Sequence, residues 1–444
     1  MVQFINKVMK KIPSILIVIS VFSAVILISC SKSDGGGGGG GGGQNTYGNY
    51  SVFAWNDLGM HCLNPSYDKL VILPPYNNVY VQVVKRGSPP QVVTSGVTVS
   101  YKLTNNTSSY NKGSFGGFWD NAKKLFNATL VHDIGLKGKG LSGDMTATNN
   151  YFVAEGIPVV PYNDGSTTRN PYQVAEITVK DGTGTMVAQT QATVPTSDEI
   201  NCAKCHGTNA FDDILLKHDS KHGTSLSATA SKPVLCASCH PSPALGIDVG
   251  PQMYLSQALH GSHSTRGASC YDCHPGATTK CNRSLAHTAD NGNCITCHGE
   301  MAVVASSIAT QNRKPWVNEP ACGKCHTGVT GVIGTTLFKT SQGHGNLYCS
   351  ACHGSPHAMV PSREASDNYQ SKQYQGFTTT IKTIGSCGVC HNDSRGGAGA
   401  SLGDFSEVHG GTNPEKVIGC MACHTSIPTN ASAWPHAHTW TNSN

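Results

Sequence analysis

The apolar positions of the chain follow two patterns that change near residue 198. Between Asn45 and Thr196, short apolar and β-branched runs are separated by clusters of Gly, Pro, Asn and Asp. This pattern is typical of an all-β sandwich, and the stretch from Phe118 to Phe126 could form a short helix. The runs are YSVFAW, KLVILP, VYVQVVKR, VTVSYKL, YFVAEG, YQVAEITVK and MVAQTQATV. The sequence therefore predicts a sandwich-like β domain over residues 45–197.

In residues 198–444 the strand pattern fades, and Cys and His become dense among Gly, Ser, Ala and Thr. Over the whole chain of 444 residues, 38% are hydrophobic, only 13% are charged, and 50 are Gly. This composition supplies few large apolar side chains, although it is too apolar and too weakly charged for a disordered chain. We therefore expect short helices and loops with little sheet, organised around something other than an apolar core.

The first residues have the pattern of an export signal. Three lysines within residues 7–11 precede an apolar run from Ile12 to Ser29. A cleaved secretory signal and a single membrane span are both compatible with the length of this run. The sequence LISC, which ends at Cys30, resembles the lipobox of bacterial lipoproteins, in which the cysteine becomes the acylated first residue. We expect residues 1–29 to be a signal peptide and Cys30 to carry the lipid anchor.

Nine consecutive glycines, Gly35–Gly43, dominate the following segment, residues 30–44. Such a run has no side chains to pack and behaves as a flexible tether. A tether that follows a lipid anchor would hold a folded body away from a membrane surface. Because Ser31 rather than Asp follows the cysteine, the segment is similar to those of outer-membrane lipoproteins. We expect an exported outer-membrane lipoprotein that is exposed at the cell surface.

The charge of the chain argues against nucleic acid as a partner. The formal net charge is +5, and this value includes the three signal lysines. The mature chain is therefore close to neutral and lacks the basic excess that nucleic-acid binding requires.

A repeated motif, Cys-x-x-Cys-His, explains the high content of Cys and His. Eight copies are present. Each copy is called here by the number of its first cysteine, as in the Cys202 motif. In c-type cytochromes each cysteine of this motif forms a thioether with the haem, and the adjacent His binds the iron. The predicted attachment cysteines are Cys202, Cys205, Cys236, Cys239, Cys270, Cys273, Cys294, Cys297, Cys322, Cys325, Cys349, Cys352, Cys387, Cys390, Cys420 and Cys423. The predicted proximal iron ligands are His206, His240, His274, His298, His326, His353, His391 and His424.

Zinc sites and disulfides are the alternatives to haem at these motifs. Pairs of CxxC motifs can form zinc ribbons, and free thiols can pair in an oxidising compartment. Neither alternative explains why every CxxC pair is followed by His. The sequence therefore predicts eight c-type haems, with the polypeptide wrapped around them in place of a conventional core.

Ten further histidines lie among the motifs and are candidates for the second axial ligand. Four are followed by Gly and precede the next motif by 5 to 14 residues. Within three close pairs the two histidines compete for the role: 218 with 222, 260 with 263, and 436 with 438. Met253, Met301 or Met359 could replace His at one iron and would raise its potential. The candidates are His218, His222, His260, His263, His287, His344, His357, His409, His436 and His438.

Two cysteines, Cys62 and Cys281, lie outside these motifs and the lipobox. They could form a disulfide in an oxidising compartment. Equally, Cys62 could be a small buried residue and Cys281 an incidental member of a haem-dense loop. The pair His61 and Cys62 is a weak signal for metal binding.

With its LISC segment, glycine tether and eight CxxCH motifs with surplus His, the chain resembles the secreted multihaem c-type cytochromes of metal-reducing bacteria. The resemblance covers about residues 202–438, and FAWNDLGMHC is similar to a β-rich module that precedes such haem regions. It implies long-range electron transfer at the outer membrane. The implied partners are other cytochromes, an outer-membrane conduit, and extracellular acceptors such as metal oxides or electrodes.

Two other functions compete with that of an electron carrier. An octahaem reductase of nitrogen or sulfur compounds needs one iron with an open position, which is often marked by a CxxCK motif. The chain has no CxxCK, and its His supply exceeds the number of irons. A subunit of a cytochrome filament is the second alternative, although a lipid anchor argues against a free filament. We therefore expect an electron-transfer protein and no enzymatic activity.

Overall fold

The computed structural model describes residues 48–276, 278–285, 294–318, 320, 337–375, 384 and 387–392, with the backbone alone at 344, 375 and 387. The predicted signal peptide, lipid anchor and glycine tether lie outside these ranges. No helix in the described ranges has the length and apolar character needed to cross a membrane.

Twelve strands are present in the described residues, all but one of them before residue 198. They are β1 (Tyr50–Trp55), β2 (His61–Cys62), β3 (Leu70–Val71), β4 (Asn77–Lys85), β5 (Gln91–Val93), β6 (Val97–Leu103), β7 (Ser142–Asp144), β8 (Thr146–Ala147), β9 (Phe152–Ile157), β10 (Tyr172–Asp181), β11 (Met186–Ser197) and β12 (Val234–Leu235). Each of the predicted apolar runs contains a strand.

The strands form two five-stranded sheets. In the first sheet the order is β1-β4-β9-β8, with β5 also paired to β4; in the second it is β2-β11-β10-β6-β7. The pairings are antiparallel except for β2 beside β11, and β12 forms a separate parallel pair with β3.

The two sheets pack face to face around a shared apolar core. Alternate residues of β1, such as Val52 and Ala54, point into this core, as alternation along a strand requires. On the opposite sheet Ile177 and Val179 of β10 are fully buried in the same cluster. Full burial of a side chain the size of Val or Ile stabilises the fold by about 1.5–3 kcal/mol. The predicted β sandwich is therefore confirmed.

The helical segment predicted from Phe118 to Phe126 is also confirmed, but it is divided into α1 (Gly117–Asp120) and α2 (Ala122–Phe126). The side-chain amide of Asn121 donates to the carbonyl of Gly117 at 2.9 Å and ends the first turn. Phe118 and Trp119 are buried against Tyr67 in a second apolar cluster.

After residue 198, the described residues form short helices and loops, and β12 is their one strand. The α-helices are α3 (Ala203–His206), α4 (Ala210–His222), α5 (Leu255–His263), α6 (Cys270–Cys273), α7 (Cys294–His298), α8 (Met301–Gln311), α9 (Cys349–His353) and α10 (Tyr369–Gln375). Single 3-10 turns are Thr229–Ser231, Cys236–Ser238, Pro243–Leu245, Phe338–Thr340, His344–Asn346, Pro356–Ala358, Ala365–Asn368 and Cys387–Val389. The prediction of little sheet in this region is confirmed.

The motif-rich region packs directly against the outer side of β1. Phe53 and Trp55, which point away from the sandwich core, form a third apolar cluster with Ala351, Tyr374 and other residues of the later chain. The described parts of the two regions thus belong to one compact unit. Whether residues 45–197 fold alone remains a prediction.

Candidate haem-binding site

Six of the eight motifs lie in the described residues, and each forms one short helical turn. Four form α3, α6, α7 and α9, and the other two form the 3-10 turns that begin at Cys236 and Cys387. In the Cys202 motif the amide of His206 donates to the carbonyl of Cys202 at 2.9 Å. One helical turn places residues i and i+4 on the same face. The thiol and the imidazole can therefore reach the same macrocycle. The Cys322 and Cys420 motifs lie outside the described residues.

The cysteines of the motifs are available for covalent attachment. In the first four motifs along the chain, the second cysteine is exposed and the first cysteine is half-buried. The exposed residues are Cys205, Cys239, Cys273 and Cys297. Burial raises the pKa of Cys202 to about 11 and that of Cys236 to about 12, so both thiols are protonated at neutral pH. Among the described residues, no three Cys, His, Asp or Glu side chains are grouped as a metal site. The arrangement fits thioether attachment better than zinc ribbons.

Four motif histidines each face a second histidine from elsewhere in the chain. An imidazole–metal bond is about 2 Å long, so two imidazoles that bind one metal from opposite sides have ring centres about 6 Å apart. The observed separations of ring centres are 6.1 to 6.4 Å. The pairs are His206 with His263, His240 with His218, His274 with His260, and His298 with His357. The spacing fits one iron between each pair.

In six of these eight histidines the Nδ1 nitrogen is held by a hydrogen bond. Nδ1 of His206 bonds to the carboxylate of Asp213 at 2.7 Å, and Nδ1 of His218 bonds to the hydroxyl of Thr224 at 2.9 Å. In the other four, Nδ1 donates to a backbone carbonyl. These are His240 to Met253, His260 to Ser256, His263 to Leu259, and His357 to Leu58, at 2.7 to 2.9 Å. A bond at Nδ1 fixes the tautomer and leaves Nε2 as the metal-binding nitrogen. His357 differs from the others, because its side chain also bonds to the thiol of Cys281.

Burial favours the neutral form of four of these imidazoles, which is the form that binds iron. Burial lowers the pKa of His274 to about 4 and that of His298 to about 4, with nearby histidines adding to the effect. Burial also lowers the pKa of His260 and His218. At neutral pH these four rings therefore have a lone pair available, whereas the neighbouring Cys281 raises the pKa of His357 to about 9.

Of the ten candidate distal histidines, four belong to the histidine pairs described above and a fifth lies beside one of them. His260 and His263, which the sequence treats as competitors, face different motif histidines. His218 rather than His222 faces His240, and His222 lies beside His218 with ring centres 4.9 Å apart. Of the remaining candidates, His344 is described by its backbone alone. His287, His409, His436 and His438 lie outside the described residues.

The hydrogen-bond partners of the histidines could not be identified from the sequence. Asp213 lies on α4, seven residues beyond His206, and belongs to no motif. The carbonyl partners are backbone atoms, and any residue type supplies them. The one available signal was an acidic residue in the first turn of a helix that follows a motif.

Cys62 and Cys281 lie near each other beside a predicted distal ligand. Their sulfurs form no disulfide in this structure. Burial raises the pKa of the Cys62 thiol, and the neighbouring Cys281 adds to this effect. Burial alone would also raise the pKa of Cys281, but the adjacent His357 lowers it. The disulfide that the sequence allowed is therefore not formed in this structure.

The two histidines of the β region are engaged in local contacts. Nε2 of His61 lies 2.7 Å from the carboxylate of Asp57, and the ring of His132 stacks on Tyr110 with centres 3.5 Å apart. Neither belongs to a metal-ligand group among the described residues.

Comparison with known proteins agrees with this geometry. A family model described as Cytochrome c3 matches residues 262–354. This part of the chain is similar to cytochrome c3. The match covers about a fifth of the chain and includes four of the CxxCH motifs. It supports a multihaem cytochrome with c-type haem and a function in electron transfer. No curated protein sequence matches the chain.

Proposed function

We propose that the protein relays electrons through eight covalently attached c-type haems at the outer surface of a bacterial cell. The observation that carries this proposal is the set of four histidine pairs with ring centres 6.1 to 6.4 Å apart. When bound, haem iron supplies reversible one-electron chemistry. The protein contributes the attachment cysteines, the two axial imidazoles and the hydrogen bonds that orient them.

The number of haems rests on the eight CxxCH motifs, six of which lie in the described residues. The intact mass of the mature protein should exceed that of its polypeptide and lipid by eight haem equivalents. Seven or fewer would contradict the number proposed. Replacing Cys349 and Cys352 with Ser should remove one haem.

The paired histidines favour a relay over a reductase. A substrate that binds iron needs an open position, and two imidazoles at each haem would leave none. We propose that all or nearly all irons are six-coordinate and low-spin, with bis-histidine ligation. Because no methionine serves as an iron ligand in such a site, nothing raises the reduction potential in that way, and the potentials should be low.

An EPR and optical survey of the purified protein tests this proposal. We expect low-spin ferric signals, weak binding of carbon monoxide after reduction, and rapid oxidation by ferric complexes. A substantial high-spin signal together with rapid turnover of nitrite or hydroxylamine would favour the reductase.

The cellular location rests on the N-terminal sequence. We propose that Cys30 is acylated and that the glycine tether holds the protein off the outer membrane. The partners would then be other cytochromes, an outer-membrane conduit and extracellular acceptors such as metal oxides. Replacing Cys30 with Ala should move the protein from the membrane fraction to soluble or unprocessed material. Continued membrane attachment would instead indicate a transmembrane anchor.

A further inference from the structure

We infer that helix α5 supplies the distal ligands of two different motifs and thereby couples two adjoining haem sites. His263 serves the Cys202 motif, and His260 serves the Cys270 motif. This inference rests on the proposed bis-histidine ligation and assigns individual residues within it.

The geometry of α5 allows its two histidines to serve different sites. His260 and His263 are three residues apart, so their side chains leave the helix in directions about 60° apart. Nδ1 of each ring bonds to the carbonyl four residues earlier, at 2.7 Å in both cases. Both Nε2 atoms are thereby available beyond the helix surface. The ring of His263 faces His206 at 6.3 Å, and the ring of His260 faces His274 at 6.1 Å.

The two attachment turns that α5 serves are in direct contact. The amide of Asn201 donates to the carbonyl of Asp272 at 3.0 Å. The ammonium group of Lys204 lies 2.7 Å from both carboxylate oxygens of Asp272. Lys204 and Asp272 are the variable residues between the cysteines of their own motifs. Attachment turns bonded in this way, with both distal ligands on one helix, define a pair of adjacent sites.

Helix α4 joins a further site to this pair. Its residue Asp213 binds His206 of the Cys202 motif, and its residue His218 faces His240 of the Cys236 motif at 6.4 Å. α4 therefore touches the sites of two motifs, as α5 does.

The three sites therefore follow one another in space in the order Cys236, Cys202 and Cys270. This order differs from the order of the motifs along the chain.

Single substitutions on α5 give the first test. In the full-length holoprotein, His263→Ala and His260→Ala should each convert one haem to high spin, while intact mass shows an unchanged number of haems. His132→Ala, in which a histidine of the β region is removed, is the matched control and should produce no high-spin haem. Unchanged low-spin spectra in either α5 variant would overturn the inference.

Combining each of these substitutions with the loss of one motif identifies the haem that each histidine serves. In a Cys202→Ser/Cys205→Ser background, His263→Ala should add no high-spin signal, because its haem is absent, and His260→Ala should still add one. In a Cys270→Ser/Cys273→Ser background the two results should be reversed. An interchanged pattern, or a signal from both histidines in both backgrounds, would overturn the assignment but leave bis-histidine ligation intact. High-spin haem in the unsubstituted protein would instead contradict the proposed function.

If the Cys-to-Ser proteins do not accumulate in folded form, Asp213→Asn can be combined with each His→Ala variant to identify the haem that the histidine serves. Asp213 contacts His206, so this change should shift the potential of the high-spin haem in His263→Ala. It should leave the potential of the high-spin haem in His260→Ala unchanged. The opposite result would overturn the inference.

Discussion

The phenolic oxygen of Tyr374 lies 2.7 Å from the amide nitrogen and 2.7 Å from the carbonyl oxygen of Val52. Val52 belongs to β1, which is the edge strand of its sheet. One turn earlier on α10, the side chain of Gln370 bonds in the same way to the amide and carbonyl of Ala54. Two side chains of one helix therefore satisfy the polar groups that an edge strand would otherwise leave open to another strand.

Replacing Tyr374 with Phe should destabilise the protein by about 1–3 kcal/mol, because a buried amide and carbonyl lose their partner. The free energy of unfolding, measured with denaturant, tests this expectation. Tyr254→Phe is the control, since its hydroxyl makes one long bond of 3.3 Å near the surface. Equal effects of the two substitutions would show that the edge bonds contribute little.

The same contacts predict how the β domain behaves when separated from the rest of the chain. A fragment of residues 45–197 retains the complete sandwich core. It loses Tyr374, Ala351 and the other residues that cover Phe53 and Trp55. We expect cooperative unfolding at a lower denaturant concentration than in the full-length protein, and increased binding of a hydrophobic dye. A fragment without a cooperative transition would show that the domain depends on the later chain.

A buried ion pair also joins segments that are distant in sequence. The guanidinium group of Arg283 donates to both carboxylate oxygens of Asp367, at 2.7 and 3.0 Å, and to the carbonyl of Gly59. The Arg283 side chain also lies 5.1 Å from the ring centre of Tyr172. Arg283 thereby connects the motif-rich region to the β sandwich.

Replacing Asp367 with Ala should cost about 3–5 kcal/mol, because it leaves the Arg283 charge buried without its partner. Thermal unfolding followed by circular dichroism would measure the loss. Lys137→Ala is the control, since Lys137 and Glu155 form an exposed pair at 3.9 Å, and it should change stability by less than about 1 kcal/mol. A small effect of Asp367→Ala would mean that water or a rearranged side chain compensates for the lost carboxylate.

The sandwich could be predicted because burial on one face of a strand leaves an alternating pattern in the sequence. The run KLVILP shows where that reasoning falls short, since it forms only the two-residue strand β3. The side chain of Asn64 accepts hydrogen bonds from the amides of Ile72 and Leu73 and donates to the carbonyl of Leu70. A side chain thus takes the place of a neighbouring strand, and apolar periodicity carries no information about such bonds.

The attachment turns could likewise be predicted because all their residues are adjacent in sequence. The pairing of histidines could not, since His357 lies 59 positions from the His298 that it faces. Proximity in sequence even suggested that His260 and His263 compete, whereas a helical step of three residues directs them to different sites. Tertiary contacts, rather than local spacing, decide the second ligand.

The carboxylate of Asp213 should lower the potential of one haem. A carboxylate that accepts a hydrogen bond from Nδ1 increases the electron donation of the imidazole and favours ferric iron. Asp213→Asn should therefore raise the potential of the haem on the Cys202 motif while leaving the haem count and the low-spin signals unchanged. Asp212→Asn is the matched control, because Asp212 forms its ion pairs with Lys69 and Lys232 rather than with a motif histidine of the described residues. Spectroelectrochemical titration of the variants should show one component moved to higher potential in Asp213→Asn alone. A uniform shift of all components, or an equal shift in both variants, would assign the effect to surface charge rather than to the bond between Asp213 and His206.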